Sequence, residues 1–165
     1  MLAGLVFAII VFAAASSGAF FKPDEWYAGL RKPSWTPPPI AFPIVWTTLY
    51  LMIAAAGWLV WREAGMSAPL AAWAVQIVLN AMWSWFFFGL RRPALAFVEV
   101  VVLLASIVVF IVLAQPVSAT AALLFVPYLA WVATAAALNL RILQLNPRRW
   151  GYDAERSSIR GETAT

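Results

Sequence analysis

Charged side chains are missing from long stretches of this chain, and that pattern constrains its fold more than any other feature. Residues 1–21, 33–61 and 64–90 carry no Asp, Glu, Lys or Arg, and residues 93–140 carry only Glu99. A helix needs about 20 apolar residues to cross the hydrocarbon core of a bilayer. The stretches therefore predict an integral membrane protein, and the composition, 64% hydrophobic and 11% charged, supports this.

The uncharged stretches divide into five spans, which predicts an all-α membrane protein built as a five-transmembrane-helix bundle. Breaks fall where proline and charge coincide, as at Lys22-Pro23 and Arg91-Arg92-Pro93, because proline cannot continue a helix. One domain is predicted over residues 1–152, followed by a polar tail over 153–165. The spans are predicted near residues 2–21, 42–61, 69–90, 94–114 and 118–141.

The first span has a rival interpretation as a secretory signal peptide. Ala13-Ala14-Ala15-Ser16 resembles a small-residue cleavage site. A signal peptide begins with a positively charged region, however, and no Lys or Arg precedes this segment. An uncleaved first span is therefore favoured.

The basic residues predict the orientation of the bundle. Of the eleven Lys and Arg, only Arg62 falls in a connection on the side of the N-terminus. The other ten fall in the first and third connections and after the fifth span. Because Lys and Arg are enriched in cytoplasmic loops, we expect a cytoplasmic C-terminus and an N-terminus on the opposite side.

The residues that the chain lacks exclude several kinds of site. It has no Cys and no His, so disulfides, thiolate nucleophiles, Cys/His zinc sites and Ser-His-Asp triads are excluded, and no metal site is predicted. Glu99 is the only acid inside a predicted span, and we expect it to extend toward the surface beside Arg91 and Arg92. A functional role for Glu99 is the alternative. The net charge of +4 indicates topology and affinity for anionic lipid, with no indication of nucleic acid binding.

A proline-rich run joins the first two spans. The segment Lys32–Tyr50, KPSWTPPPIAFPIVWTTLY, holds five prolines and two tryptophans. Proline fixes φ and removes an amide donor, which predicts a stiff, ordered lid or spacer. The alternative is a proline-rich turn with an interfacial aromatic anchor, which is common at membrane surfaces.

Three predicted helices carry aromatic stripes, one of which includes amides. Two interpretations stay open. The amides and rings are interhelical packing and hydrogen bonding, or they line a pocket for a flat, mostly apolar ligand with a few polar atoms. The stripes comprise Phe42, Trp46, Tyr50 and Ile53 in the second span, Trp73, Gln76, Asn80, Trp83, Ser84 and Phe87 in the third, and Tyr128, Trp131, Ala135 and Leu138 in the fifth.

Several of these segments together resemble the TspO/MBR family, the tryptophan-rich sensory proteins of bacteria and the mitochondrial translocator protein, or peripheral benzodiazepine receptor. The resemblance runs from about Lys22 to Asn139 and includes the order and spacing of the segments. Its marks are KPSWTPP (Lys32–Pro38), FPIVWTTLY (Phe42–Tyr50), NAMWSWFFFGL (Asn80–Leu90), FVPYLAW (Phe125–Trp131) and ALN (Ala137–Asn139).

The resemblance implies a compact five-helix bundle whose first loop folds over a pocket, often as a homodimer, in a bacterial cell membrane. Family ligands are porphyrins such as protoporphyrin IX, haem, sterols and benzodiazepine-site drugs. Carried over by motif position, the residues that the resemblance assigns to ligand binding are Trp35, Phe42, Trp46, Tyr50, Asn80, Phe86, Phe87, Trp131 and Ala135.

The resemblance also suggests a photochemical role. The two tryptophans linked with light-dependent porphyrin breakdown in bacterial relatives match Trp46 and Trp131. The animal cholesterol motif, in contrast, is incomplete, because Leu140 stands where that motif has Tyr. The chain therefore does not support an expectation of sterol recognition.

Three functions follow as hypotheses. The first is a membrane receptor, sensor or carrier for porphyrins, probed by binding in the dark. The second is light- and oxygen-dependent porphyrin degradation that uses Trp46 and Trp131, probed by a product formed only under illumination. The third is a structural or regulatory membrane protein whose pocket holds lipid.

Overall fold

The computed structural model describes residues 2–21 and 23–147, and within these it contains helices and no β-strand. The predicted all-α architecture is therefore confirmed. A π-helical turn, Trp85–Gly89, directly continues the fourth helix. The helices are α1 (Leu2–Phe20), α2 (Glu25–Ala28), α3 (Ala41–Ala64), α4 (Ala68–Ser84), α5 (Pro93–Ala114), α6 (Ala119–Leu124) and α7 (Val126–Leu145).

Four helical segments are long and apolar enough to cross a membrane, so this is an integral membrane protein. They are Ala41–Ala64, Ala68–Gly89, Pro93–Ala114 and Ala119–Leu145.

These segments fall on four of the five predicted spans, and the last of them extends beyond its predicted end at residue 141. The apolar stretch of α1, Leu2–Gly18, is shorter, so the number of five spans stays a prediction. The predicted tail, 153–165, lies outside the described residues.

The helices pack as a closed ring. α1 lies between α3 and α4, α4 packs along α5, and α5 packs against α6 and α7. The ring closes where α6 contacts α3. The backbone of α3 thus packs mainly against α1, α4 and α6. It has few close backbone contacts with α7.

Gly57 allows three helices to meet closely. A Cβ atom at this position would lie 2.5 Å from Cε2 of Trp73 and 2.8 Å from Cδ1 of Phe7. The Trp73 ring fills that space, donates from Nε1 to the Ile53 carbonyl (2.8 Å) and meets Phe7 edge to face at 5.0 Å. An indole is hydrogen-bonded when buried because an unpaired N–H is costly, and here the helix backbone supplies the acceptor.

Prolines mark the helix starts, as the sequence predicts. Pro69 and Pro93 each lie in the first turn of a helix, where the missing amide hydrogen is not needed. Pro127 lies in the first turn of α7, directly after a break in the helix, because α6 ends at Leu124 and α7 begins at Val126. Arg91 has a φ of 53°, a left-handed conformation that reverses the chain after the π-helical turn.

Candidate ligand-binding site

Aromatic side chains bridge the gap between α3 and α7. The rings of Phe42 and Trp131 lie 5.7 Å apart, edge to face. One turn further along α3, Trp46 meets Tyr128 of α7 at 6.3 Å and stacks on Tyr50 at 5.2 Å. Such geometries are the favoured ones for aromatic pairs. The Phe42–Trp131 pair and the Trp46–Tyr50–Tyr128 group are together called the aromatic cluster, because Trp46 and Trp131 both pack against the same apolar core.

A hydrogen-bonded chain crosses the interior beside these rings. The Tyr50 hydroxyl donates to Oδ1 of Asn80 (3.0 Å), and Nδ2 of Asn80 donates to the Tyr128 hydroxyl (2.9 Å). Asn80 is 5% exposed and Tyr128 is fully buried. The amide therefore links α3, α4 and α7, as the interhelical hydrogen-bond interpretation predicts. It keeps one N–H and one lone pair beyond these two bonds.

Two apolar grooves open beside this cluster, and each includes one member of it. The groove between α3 and α7, about 420 Å³, is lined by Ile44, Val45, Thr48, Leu49, Met52, Pro127, Ala130, Trp131 and Thr134. The groove between α1 and α3, about 550 Å³, is lined by Ala8, Ile9, Val11, Phe12, Ala15, Thr47, Tyr50, Leu51 and Ala54. Both volumes fall in the range of small-molecule sites, about 300–1,000 Å³.

The hydroxyls in the first groove are already bonded within their helices. Thr48 donates to the Ile44 carbonyl (3.1 Å) and Thr134 to the Ala130 carbonyl (2.9 Å). The groove wall is therefore effectively apolar, which suits a hydrophobic ligand or an acyl chain.

The remaining residues of the predicted site lie in α7, in the connection before α3 and in the π-helical turn. Ala135 is half-buried one turn beyond Trp131, and Trp35 is 48% exposed in the connection before α3. Phe87 is buried among Trp26, Tyr27 and Trp83.

Phe86 stacks on Trp85. It packs, together with Phe42, against the second apolar core, which consists of Leu30, Phe87, Ala96, Leu138 and Ile142. The aromatic cluster and this second core therefore meet at Phe42.

Tyr128 is the cluster residue that the sequence analysis placed on a stripe without assigning it to the site. It contacts Trp46 and Phe125 and accepts the Asn80 bond. Its position three residues before Trp131 was the available signal, since such residues share a helix face.

Three polar side chains in α4 and α5 have buried atoms with no hydrogen-bond partner among the described residues. These are Gln76, at both amide atoms, Trp83, at Nε1, and Glu99, at both carboxyl oxygens. The expectation that Glu99 extends to the surface is wrong, because its side chain is 6% exposed. It lies on the interior face of α5 with Ala96, Val100 and Leu103, so helix rotation directs it inward, away from Arg91 and Arg92.

The chemistry available here is that of a binding site lined by rings, amides and phenols. Within residues 2–21 and 23–147 no group of three or more Asp or Glu side chains is placed to hold a metal ion. Stacking surfaces and a few directional polar groups are present, and groups of these kinds suit a flat ligand.

The family model described as "TspO/MBR family" matches residues 5–145, nearly all of the described chain. The chain belongs to the TspO/MBR family. The resemblance noted from its motifs is thereby confirmed.

Named relatives agree with this assignment over most of their length. The chain is 40% identical to "Protein CrtK" of Rhodobacter capsulatus over 149 residues, covering 86% of this chain and 91% of the relative. It is 39% identical to the "Tryptophan-rich sensory protein" of Cereibacter sphaeroides over 137 residues (83% and 87%). It is also 39% identical to the "Translocator protein" of Sus scrofa over 142 residues (83% and 84%). Of these three relatives of the TspO/MBR protein, one is named as a sensory protein and one as a translocator protein.

Proposed function

We propose that this protein is a membrane receptor, sensor or carrier that binds porphyrins, chiefly protoporphyrin IX and also haem, in the aromatic cluster between α3 and α7. The observation that carries the proposal is that the Phe42–Trp131 and Trp46–Tyr128 ring contacts bridge these helices beside a hydrogen-bonded amide. Rotation of a few side chains opens a slot with aromatic walls. A flat macrocycle presents the stacking faces that such a slot requires.

In this proposal the role of each site residue follows from its position in the cluster. Trp46 and Trp131 stack on the macrocycle, Phe42 borders it, and Tyr50 and Asn80 supply polar contacts. Trp35, Phe86, Phe87 and Ala135 shape the rim and the floor of the site. Membrane lipids occupy the grooves when no porphyrin is bound.

A metal-free porphyrin fits this chain better than haem does. Proteins hold haem iron mostly through imidazole or thiolate ligands, and the sequence has neither His nor Cys. Protoporphyrin IX requires no axial ligand, so we expect it to bind more tightly than haem.

The proposed setting is a bacterial cell membrane, with five spans, a cytoplasmic C-terminus and a homodimeric assembly. For the dimer, exposed small residues on α4, Ala71 and Ala74, allow close helix approach. Two further small residues lie in α1. Ala14 is buried, and a Cβ atom added to Gly18 would lie 3.9 Å from Oγ of Ser84. Ala14 therefore serves packing within the chain, whereas Gly18 is exposed and stays a candidate contact of the dimer.

Binding is tested by titrating the protein in lipid nanodiscs with protoporphyrin IX in the dark and following tryptophan fluorescence. Saturable quenching with one site per chain is the expected result. Quenching that rises linearly without saturation, as in empty nanodiscs, would reject porphyrin binding and leave the structural or regulatory role with a lipid-filled pocket.

Light-dependent porphyrin degradation is the second candidate function. It is favoured by the stacking of Trp46 on Tyr50 at 5.2 Å, because indole and phenol are the oxidisable side chains of this cluster. In this hypothesis dioxygen is the terminal oxidant: the photoexcited porphyrin takes an electron from Trp46 or Trp131 and passes it to dioxygen. The indole radical then recovers its electron from the porphyrin, so the porphyrin is the molecule that is oxidised and consumed. A new absorbing product that requires protein, light and dioxygen together would support it.

A further inference from the structure

Asn146, directly after α7, clamps a backbone segment 115 residues away in sequence. Its Oδ1 accepts from the Arg31 amide (2.9 Å), and its Nδ2 donates to the Arg31 carbonyl (2.9 Å) and the Ile142 carbonyl (2.7 Å). The side chain is 7% exposed. Both bonds to Arg31 depend on the same amide orientation. The carboxamide therefore pairs with the N–H and C=O of Arg31 in the way that a residue on a neighbouring β-strand does.

The chain before this clamp is docked on the bundle. Asp24 pairs with Arg91 (2.7 Å) and caps α2 by accepting from the Tyr27 amide (3.1 Å). That backbone bond, followed by the Arg91 side chain, lowers the pKa of the Asp24 carboxyl. Tyr27 packs on Phe87, and Leu30 is buried in the second core.

The chain after the clamp, residues 33–40, is here named the proline arm. Its hydrogen bonds among the described residues are local. Thr36 bonds to the Pro33 carbonyl through its amide (3.1 Å) and hydroxyl (2.7 Å), and the Ala41 amide bonds to the Pro38 carbonyl (2.9 Å). The proline arm is therefore a stiff strap, held at its start through Arg31 and at its end by α3.

Both ends of the proline arm lead to α7. At the start, Arg31 is bonded to Asn146. At the end, Phe42 follows Ala41 and its ring contacts Trp131. A movement that carries the start of the proline arm away from the end of α7 has to break the clamp.

We propose that Asn146 is the positioning residue that anchors the proline arm to α7 and thereby sets the rate at which ligand enters and leaves the aromatic cluster. The anchoring stands on the contacts alone, whereas the effect on ligand exchange rests on the proposed porphyrin binding. Loss of the clamp leaves the start of the strap held only through Leu30 and the segment before it, which shortens the lifetime of the closed site.

The anchoring is tested without ligand. Because the chain has no Cys, Ser34→Cys in the exposed proline arm carries a single nitroxide spin label. We expect Asn146→Ala to narrow the spectrum of that label and to speed exchange of the Arg31 amide hydrogen by about tenfold or more, the factor expected for loss of a hydrogen bond of about 1 kcal/mol or slightly more. An unchanged label spectrum and unchanged exchange would overturn the clamp.

Asn139→Ala is the matched control. Asn139 is also a buried amide of α7 and faces α5; in the amide orientation that satisfies its neighbours it donates to the Pro93 carbonyl (3.0 Å) and accepts from the Phe97 amide (3.1 Å). Its loss therefore lowers stability without freeing the proline arm, and the spectrum of the label should not change.

If Asn146→Ala does not fold, Asn146→Asp serves instead, because it keeps the acceptor for the Arg31 amide and loses only the donated bonds. Its label mobility should lie between wild type and free, and a wild-type spectrum would overturn the clamp.

Ligand exchange is then measured by stopped-flow mixing with protoporphyrin IX in the dark. We expect Asn146→Ala to raise the association and dissociation rates together, by about tenfold, with a smaller change in Kd. Wild-type rates in a variant whose label is mobile would overturn the effect on exchange. Absence of binding to wild type would instead reject the proposed function and, with it, the exchange role, while the label spectra still decide the anchoring.

Discussion

Trp46 and Trp131 have different neighbours, and replacing each of them by Phe separates the two candidate functions. Trp46 is stacked on Tyr50 inside the cluster, whereas Trp131 lines the groove between α3 and α7. Replacing either indole by Phe keeps a stacking face, so we expect protoporphyrin IX affinity to fall by about tenfold at most, since an aromatic pair contributes about 0.5–1.5 kcal/mol. Any photochemical turnover should be abolished, because benzene rings are not oxidised under these conditions. Parallel dark titration and illumination of Trp46→Phe and Trp131→Phe measure both quantities.

Trp58 and Trp61 are the matched controls at the other end of α3. Trp58 lies under the Arg62 guanidinium at 5.1 Å and Trp61 is 39% exposed, an environment typical of interfacial residues. Their Phe variants should change neither affinity nor turnover. Full turnover in both Trp46→Phe and Trp131→Phe would reject the degradation hypothesis. An equal loss of affinity or turnover in Trp58→Phe would show that the site has been assigned to the wrong part of α3.

Glu99 gives a second prediction at the level of a single residue. Both of its carboxyl oxygens are buried without a partner among the described residues, and an ionised carboxylate there would cost several kcal/mol. Glu99→Gln has nearly the same shape and no charge. We expect it to raise the thermal unfolding midpoint by about 2–4 °C, the shift that about 1 kcal/mol produces in a chain of this size. Glu63→Gln, on an exposed ion pair with Arg62, should leave the midpoint unchanged.

A lower midpoint for Glu99→Gln would contradict this expectation and show that the carboxyl makes an interaction that an amide cannot replace.

The sequence indicated that Glu99 was unusual but not which way its side chain points. The direction depends on the rotation of α5 about its own axis, which α4 and α7 determine by packing. Asn80 was easier to predict, because any amide at membrane depth requires partners, and the stripes on α3 and α7 supplied Tyr50 and Tyr128.

At the level of elements, the junction of α1, α3 and α4 depends on the absence of a side chain at residue 57. Gly57→Ala should lower the free energy of unfolding by about 1–3 kcal/mol, the usual cost of overpacking, because Trp73 is held by Phe7 and by its bond to Ile53 and cannot retreat. Unfolding in a mixed detergent titration measures the change. Gly4→Ala is the control, since its Cβ would meet Trp58 at an ordinary 3.7 Å. Equal stability of the two variants would contradict this account of the junction.

The helices themselves could be predicted from the sequence, and their irregular ends could not. Charge-free length fixes the apolar segments, and proline fixes their starts at residues 69 and 93. The π-helical turn at Trp85–Gly89 and the short helix α2 have no comparable local pattern. Both depend on contacts between distant segments, such as Tyr27 with Phe87 and Phe88 and Asp24 with Arg91, and a reading of local periodicity does not detect these.

At the level of the whole molecule, two long-range contacts place three connections at one end of the bundle. The bond from Arg31 to Asn146 joins the first connection to the end of α7, and the Asp24–Arg91 pair joins the first connection to the turn before α5. Arg31, Lys32, Arg91 and Arg92 are therefore collected at that end, while Arg62 lies at the end of α3 opposite to it. The contacts show that these segments lie at one end of the bundle, and the positions of Lys and Arg along the sequence make that end the basic one.

This distribution of charge leads to the topology prediction. The basic end should face the cytoplasm, so reporter fusions placed after Thr165 and before Met1 should give opposite results, with the C-terminal reporter cytoplasmic. A third fusion in the α3–α4 connection, after Gly65, should report the same side as the N-terminus, because α3 alone separates it from the basic end. If the two terminal fusions report one side, α1 does not span the membrane and the five-span arrangement is wrong. If the Gly65 fusion is cytoplasmic while the termini still differ, the orientation of α3 is wrong, and the contacts of Arg31 and Asp24 would then have to form on the other side of the membrane.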